Sequence, residues 1–205
     1  SGDNTFTTSG PITITIVSPF DNATINRPDV MVRGTVTNTT GNETGVTVNG
    51  MVATVYNGQF FVNHVPLTDG QNTITASAKD TAGNIASHSI LVNGNTTAPH
   101  VTLSANIESG IAPLTTYFSV STSIPNSVTS YAFDYEGDTI INYSGTTFDN
   151  ISVTYAGEGI AYPTVTVTDD HVISYSDTIA IIVLNQANLD ALLKSKWNAM
   201  KTALG

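Results

Sequence analysis

The sequence predicts an all-β protein: two tandem Ig-like β-sandwiches followed by a C-terminal α-helix. Three observations carry this expectation. Apolar residues alternate with Thr and Ser in short runs, which is the period of a half-buried strand. Turn signals such as Asn49-Gly50 and Asn57-Gly58 punctuate these runs every 8 to 12 residues or so, as in a sandwich. The polar stretch Asn93-Gly94-Asn95-Thr96-Thr97-Ala98-Pro99 has no apolar period and separates two segments of about 90 residues, each long enough to bury a core of its own. The expected divisions are residues 11–93, 98–185 and 186–204.

Composition narrows the function classes. Of the 205 residues, 40% are hydrophobic and only 11% charged, and Thr, Asn, Ser, Val and Ile, the residues of strands and turns, are abundant. There is no cysteine, so no disulfide staples either module. Together these features lean toward a bacterial or archaeal surface protein. The net charge of -10 and pI near 4.4 oppose phosphate backbones and anionic lipid, so nucleic acid is excluded as a partner. No apolar run reaches the roughly 18 residues of a membrane span.

In the first module, Ile12, Ile14 and Ile16 alternate with threonines until Ser18-Pro19-Phe20-Asp21-Asn22 breaks the run. Val30, Val32 and Val36 form a second run, with Gly34 where a large residue could have stood. Asn38 to Gly45 is a polar loop. Val46 and Val48 lead into Asn49-Gly50, and Val52 to Tyr56 leads into Asn57-Gly58; Asn-Gly between apolar alternations signals a hairpin, because both central residues take positive φ. Asp69-Gly70 and Asp80-Thr81-Ala82-Gly83-Asn84 supply further turns. The run Val46 to Gly50, the stretch Phe60 to Leu67, Gly70 to Ala76 and Asp80 to Asn84 resemble bacterial Ig-like domains of the glucodextranase domain B type. The resemblance implies an accessory module of a secreted or surface protein, without chemistry of its own.

In the second module, three blocks stand out: Gly110-Ile111-Ala112-Pro113-Leu114, Tyr131-Ala132-Phe133-Asp134-Tyr135-Glu136-Gly137-Asp138, and Tyr162-Pro163-Thr164-Val165-Thr166-Val167-Thr168-Asp169. They resemble the PKD (polycystic kidney disease) Ig-like domain, with Tyr131 where Trp is common and Thr139 in place of a usual Gly. The resemblance implies an extracellular interaction or spacer module.

The tail changes period. Leu189, Leu192, Leu193, Trp197, Met200 and Leu204 recur at spacings of three and four, one stripe of a helix. Asn185 or Asn188 can cap its start, and the late lysines suit its negative pole. Two placements stay open: a helix docked on the second sandwich, or the first helix of a further domain. A membrane-surface helix is disfavoured, since three lysines are few for one.

Among candidate sites, Asp134, Glu136 and Asp138 are two apart on an expected strand end, so their carboxylates could share a face and gather around calcium. Gly137 comes too early for an EF-hand loop, and the competing reading has Asp134 bonding its own turn. Asp69, Asp80 and the pair Asp169-Asp170 read as ordinary turn acids. The histidines, His64, His88, His100 and His171, show no ligand spacing for zinc. No nucleophile elbow, phosphate loop or dinucleotide fingerprint occurs. Phe60 and Phe61 are adjacent and so face opposite sides of a strand, one of them outward. Tyr135, Tyr143, Tyr155, Tyr162 and Tyr175 read mainly as core.

The chain is therefore expected to be no enzyme but a spacer, adhesion or protein-interaction unit of a larger extracellular or cell-surface protein. It would meet a cell-surface protein or polysaccharide, as a monomer, with little contact between its modules across a pliable linker. The alternative is a carbohydrate-binding accessory region of a secreted polysaccharide-degrading enzyme, which coplanar exposed aromatic rings would favour.

Overall fold

The computed structural model describes residues 10–204. Alternation becomes burial in the first strand, Ile12–Ser18: its three isoleucines point into the core while Thr13 and Thr15 face solvent. It pairs antiparallel with Asp29–Asn38, and across that pair the Thr13 and Thr37 hydroxyls bond at 2.6 Å. Gln59–Pro66 and Thr54–Tyr56 complete this sheet. The facing sheet runs Ala23–Ile25, Ile85–Gly94, Gly70–Asp80, Thr44–Val48, Met51–Val52. Between the two lies a core of aliphatic side chains around Phe60. Gly34 is required by that ring: a Cβ there would collide with Phe60 and with the Thr15 carbonyl. Both Asn-Gly hairpin turns form as expected, with φ of 46° and 83° at Asn49 and Gly50, and 49° and 73° at Asn57 and Gly58.

The second sandwich sets His100–Ala105, Leu114–Ser123 and Ile151–Tyr155 against Tyr143–Gly145, Val128–Asp134, Thr164–Asp169 and Ser174–Thr178. Phe118 and Phe133 meet edge to face at 5.0 Å in its core. A third, small sheet orders Ser109–Ile111, Ile181–Leu184 and Gly159–Ala161. All four residues of Ile181–Leu184 are buried. Ile181 and Val183 point into the core of the second sandwich. Ile182 and Leu184 point the other way and join Ala180 and Phe61 in a separate apolar cluster flanked by Met31, Tyr56, Ile160 and Tyr162.

That cluster spans the two halves. Phe61 is the outward-facing member of the Phe60-Phe61 pair, as adjacency on a strand requires, yet it is buried because the second sandwich covers it. The two halves thus share an apolar seam where the linker composition led to an expectation of little contact. The linker is itself fixed to the first sandwich. Strand Ile85–Gly94 continues through its first two residues, Asn95 N donates to Ile25 O at 2.8 Å, and the Thr96 N–H and hydroxyl both donate to Asp69 Oδ1.

The helix, Gln186–Leu204, forms where its period places it. It does not lie on the second sandwich. It crosses back to the first, packing chiefly against Thr44–Val48, Thr54–Tyr56 and Gly70–Asp80. Ser195 Oγ donates to Thr44 O at 3.2 Å, and Lys194 Nζ lies 3.2 Å from Glu43.

Candidate functional site

The seam is closed on one side by a polar chain that runs from one sandwich to the other. His64 occupies a bulge in strand Gln59–Pro66, where the register to Asp29–Asn38 slips, and takes a φ of 55°. That turns its Nδ1 onto Asp29 Oδ2 at 2.9 Å. The other Asp29 oxygen accepts from Arg27 at 3.2 Å and 3.0 Å. Arg27 reaches across to the buried carboxylate of Asp177 in the second sandwich. Asp177 is held in turn by the N–H of Leu103 at 2.8 Å and of Thr178 at 2.7 Å.

Each charge here depends on its neighbours. The Asp29 bond raises the His64 pKa above its ordinary value, against the opposing effect of burial. Burial works against the Asp29 carboxylate, but the His64 bond and the Arg27 charge outweigh it and lower its pKa. Burial likewise opposes the Arg27 guanidinium, and the Asp177 bond and charge reverse that. Where the two sandwiches and the helix meet, a cleft of about 370 Å³ is lined by Asn63, Asn106, Glu108, Ser109 and Lys196.

The expected calcium ligands, Asp134, Glu136 and Asp138, lie elsewhere, at the end of a strand and in the turn that follows it. Strand Val128–Asp134 ends at Asp134, so Glu136 and Asp138 sit in a turn, where the period-two argument lapses. Asp134 is buried, and its oxygens accept the backbone N–H groups of Glu136, Gly137 and Thr139 at 3.1, 2.7 and 2.7 Å. Asp138 accepts from Ile140 N at 2.9 Å. Glu136 faces a groove. Among the described residues, the group of three acids or histidines whose ligand atoms converge is Asp169, Asp170 and His171. There Asp169 already accepts from the His171 and Ile173 N–H groups and the Asn126 amide.

Asp80 is likewise committed to its turn. The Asn84 side-chain amide foremost, opposed by burial and aided by the Asn84 N–H, Asn38 and Asn42, lowers its pKa to about 2. The histidines are dispersed: His88 accepts from Ile16 N, His100 lies on the Ala98 carbonyl, and His171 sits beside Asp170.

The groove that Glu136 faces, about 440 Å³, opens between the edge strands Ile151–Tyr155 and Gly159–Ala161. Val153 and Ala161 form its apolar wall; Tyr135, Tyr155, Glu136 and Glu158 line the rest. The Tyr155 hydroxyl donates to Tyr135 O at 2.6 Å, and burial raises its pKa. Tyr131, Tyr135, Tyr143, Tyr155 and Tyr175 are half-buried against the second core, as expected for most of the tyrosines.

The seam and the helix placement were missed from sequence. One signal was available: Ile179 to Leu184 is an uninterrupted apolar run, the pattern of a strand covered on both faces.

A search of curated proteins finds no match to the chain. Similar solved structures include the fibronectin(III)-like modules of Clostridium thermocellum CbhA, at 17% identity over 86% of this chain and 96% of that one, with a TM-score of 0.33. Dimeric latent PorU from Porphyromonas gingivalis aligns at 13% identity over 84% of this chain and 20% of that one, TM-score 0.41. Bacteroides ovatus SGBP-B in complex with a mixed-linkage heptasaccharide aligns at 18% identity over 84% and 47%, TM-score 0.27. At the level of family, residues 12–96, the first sandwich, match glucodextranase, domain B.

Proposed function

We propose that the chain is a non-catalytic module pair, residues 11–93 and a PKD-like 98–185 with the helix 186–204, serving as a spacer, adhesion or protein-interaction unit of a larger extracellular or cell-surface protein. The observation that carries this reading is the seam of Phe61, Ala180, Ile182 and Leu184. A spacer needs a fixed reach and angle, and a buried apolar contact supplies both where a linker alone would not. The acids of the turns support the same reading, since Asp80, Asp134 and Asp169 spend their oxygens on local N–H groups and amides. The domain B match of residues 12–96 agrees with an accessory role. NMR relaxation of the chain tests it: both sandwiches tumble with one correlation time. Independent tumbling would rule out a rigid spacer.

A second reading, the carbohydrate-binding accessory region of a polysaccharide-degrading enzyme, is favoured by the groove beside Tyr135 and Tyr155. A tyrosine face there can receive a sugar ring, and the chain's net charge of -10 favours neutral over anionic glycans. Affinity electrophoresis in gels containing neutral polysaccharides tests it. Retardation that Tyr135→Ala abolishes supports this reading, and unretarded migration in every gel discards it.

A further inference from the structure

Among the described side chains of the C-terminal helix, polar ones meet the first sandwich. Ser195, buried, and Asn198 and Thr202, half-buried, lie toward the first sandwich, and Asn198 Nδ2 is buried there with no hydrogen-bond partner. On the far side Leu193, Trp197 and Met200 are 56%, 56% and 42% exposed. With the half-buried Leu189 these residues fall within an arc of about 80° at 100° per residue. A continuous apolar stripe facing water on a docked helix marks a contact surface.

We propose that this stripe pairs with the same stripe of a second copy of the chain, as two antiparallel helices about a twofold axis near Ser195 and Lys196. Charge complementarity selects this occupant. Asp190 and Lys201 lie along one flank of the stripe, the acid toward the N-terminal end and the base toward the C-terminal end, while Lys194 at mid-helix is taken up by Glu43 of its own chain. In an antiparallel pair like flanks face each other. Asp190 then meets Lys201 of the partner subunit, and the symmetry makes that contact twice. Leu193 packs against Trp197 of the partner subunit. A parallel pair turns Asp190 toward the opposite flank, where no lysine lies at its height. The twofold contact closes at two copies and propagates no further.

The rest of the charge distribution agrees. The chain carries -10 overall, so two sandwich bodies repel. The helix holds three of the six basic residues and is where two copies approach at least electrostatic cost. Lys201, now 5.3 Å from the centre of the Trp197 ring, already lies at the edge of the stripe. From the sequence, which leaves this stripe either docked on the second sandwich or opening a further domain, a monomer is expected. Its exposure on the docked helix is what points to a dimer.

Sedimentation equilibrium of the whole chain, from about 10 μM to about 500 μM, the range in which a small interface associates, tests the proposal. The expected result is a reversible monomer–dimer equilibrium. Leu193→Glu abolishes it, Asp190→Lys weakens it by about tenfold, and Asp190→Lys combined with Lys201→Asp restores it. These positions are solvent-facing, and circular dichroism confirms that each variant is folded. A wild-type chain that stays monomeric throughout overturns the proposal. So does a dimer indifferent to Leu193→Glu, or one that the double charge reversal fails to restore. Binding to phosphatidylserine-containing vesicles without self-association overturns it in favour of a membrane surface.

Discussion

Asn63 and Ala180 exchange two hydrogen bonds across the seam: Asn63 Nδ2 donates to Ala180 O at 3.0 Å, and Ala180 N donates to Asn63 Oδ1 at 2.9 Å. All of these groups are buried. A side-chain amide here does what a neighbouring strand would do, satisfying a backbone that has no ladder partner. Asn63→Ala leaves a donor and an acceptor unpaired in an apolar setting and is expected to cost about 1–3 kcal/mol. Urea denaturation reads this as a lower midpoint at unchanged slope.

Phe61→Ala removes the largest side chain of the seam. Aromatic-to-alanine changes in cores cost about 3–5 kcal/mol, but Phe61 lies outside the cores of both sandwiches. The expected outcome is therefore loss of coupling with both sandwiches still folded. Calorimetry should show one melting transition in the parent chain and two in the variant. A single transition, merely lowered, would mean that Phe61 supports the first sandwich alone.

The polar chain at the seam sets a pH window. The folded-state pKa of His64 is raised, so its contribution is full below the ordinary 6.5 and is lost as pH rises through the folded value. Asp29 is lowered, so its contribution is full above the ordinary 3.8 and is lost as pH falls through the folded value. The seam is therefore most stable between about pH 4 and 6.5, and loosens as pH rises through the raised pKa of His64. Melting temperature measured against pH should fall across neutrality, and His64→Ala should remove that fall.

Asp134 uses both carboxylate oxygens on three N–H groups. Asp134→Asn turns one acceptor into a donor facing an N–H and is expected to destabilise the second sandwich by about 1–3 kcal/mol. Because those oxygens are already engaged, millimolar calcium should leave the melting temperature of the parent chain unchanged. A rise of several degrees that Asp134→Asn abolishes would support the calcium reading.

Much of this architecture was legible in the sequence for a local reason. Ile12, Ile14 and Ile16 announce a strand face at a spacing of two, and Asn49-Gly50 and Asn57-Gly58 announce corners because few other pairs tolerate that backbone. The helix period of Leu189, Leu193 and Trp197 is equally local. What escaped depends on partners far along the chain. Adjacency makes Phe61 face away from Phe60 but does not reveal that Ile182 and Leu184 wait outside. The stripe on the helix gives its apolar side without telling what that side meets; the structure seats Ser195 inward and leaves Leu193, Trp197 and Met200 exposed. The period-two argument for the carboxylates of 134, 136 and 138 does not extend past Asp134, where the strand ends.

Strand Ile181–Leu184 is a party wall, with each face claimed by a different neighbour. A second sandwich produced alone would present Ala180, Ile182 and Leu184 to water as a greasy, unsatisfied flank, and would tend to self-adhere. Cutting the chain at residues 95–98 therefore does not liberate two independent domains. It strips one of them of its lining.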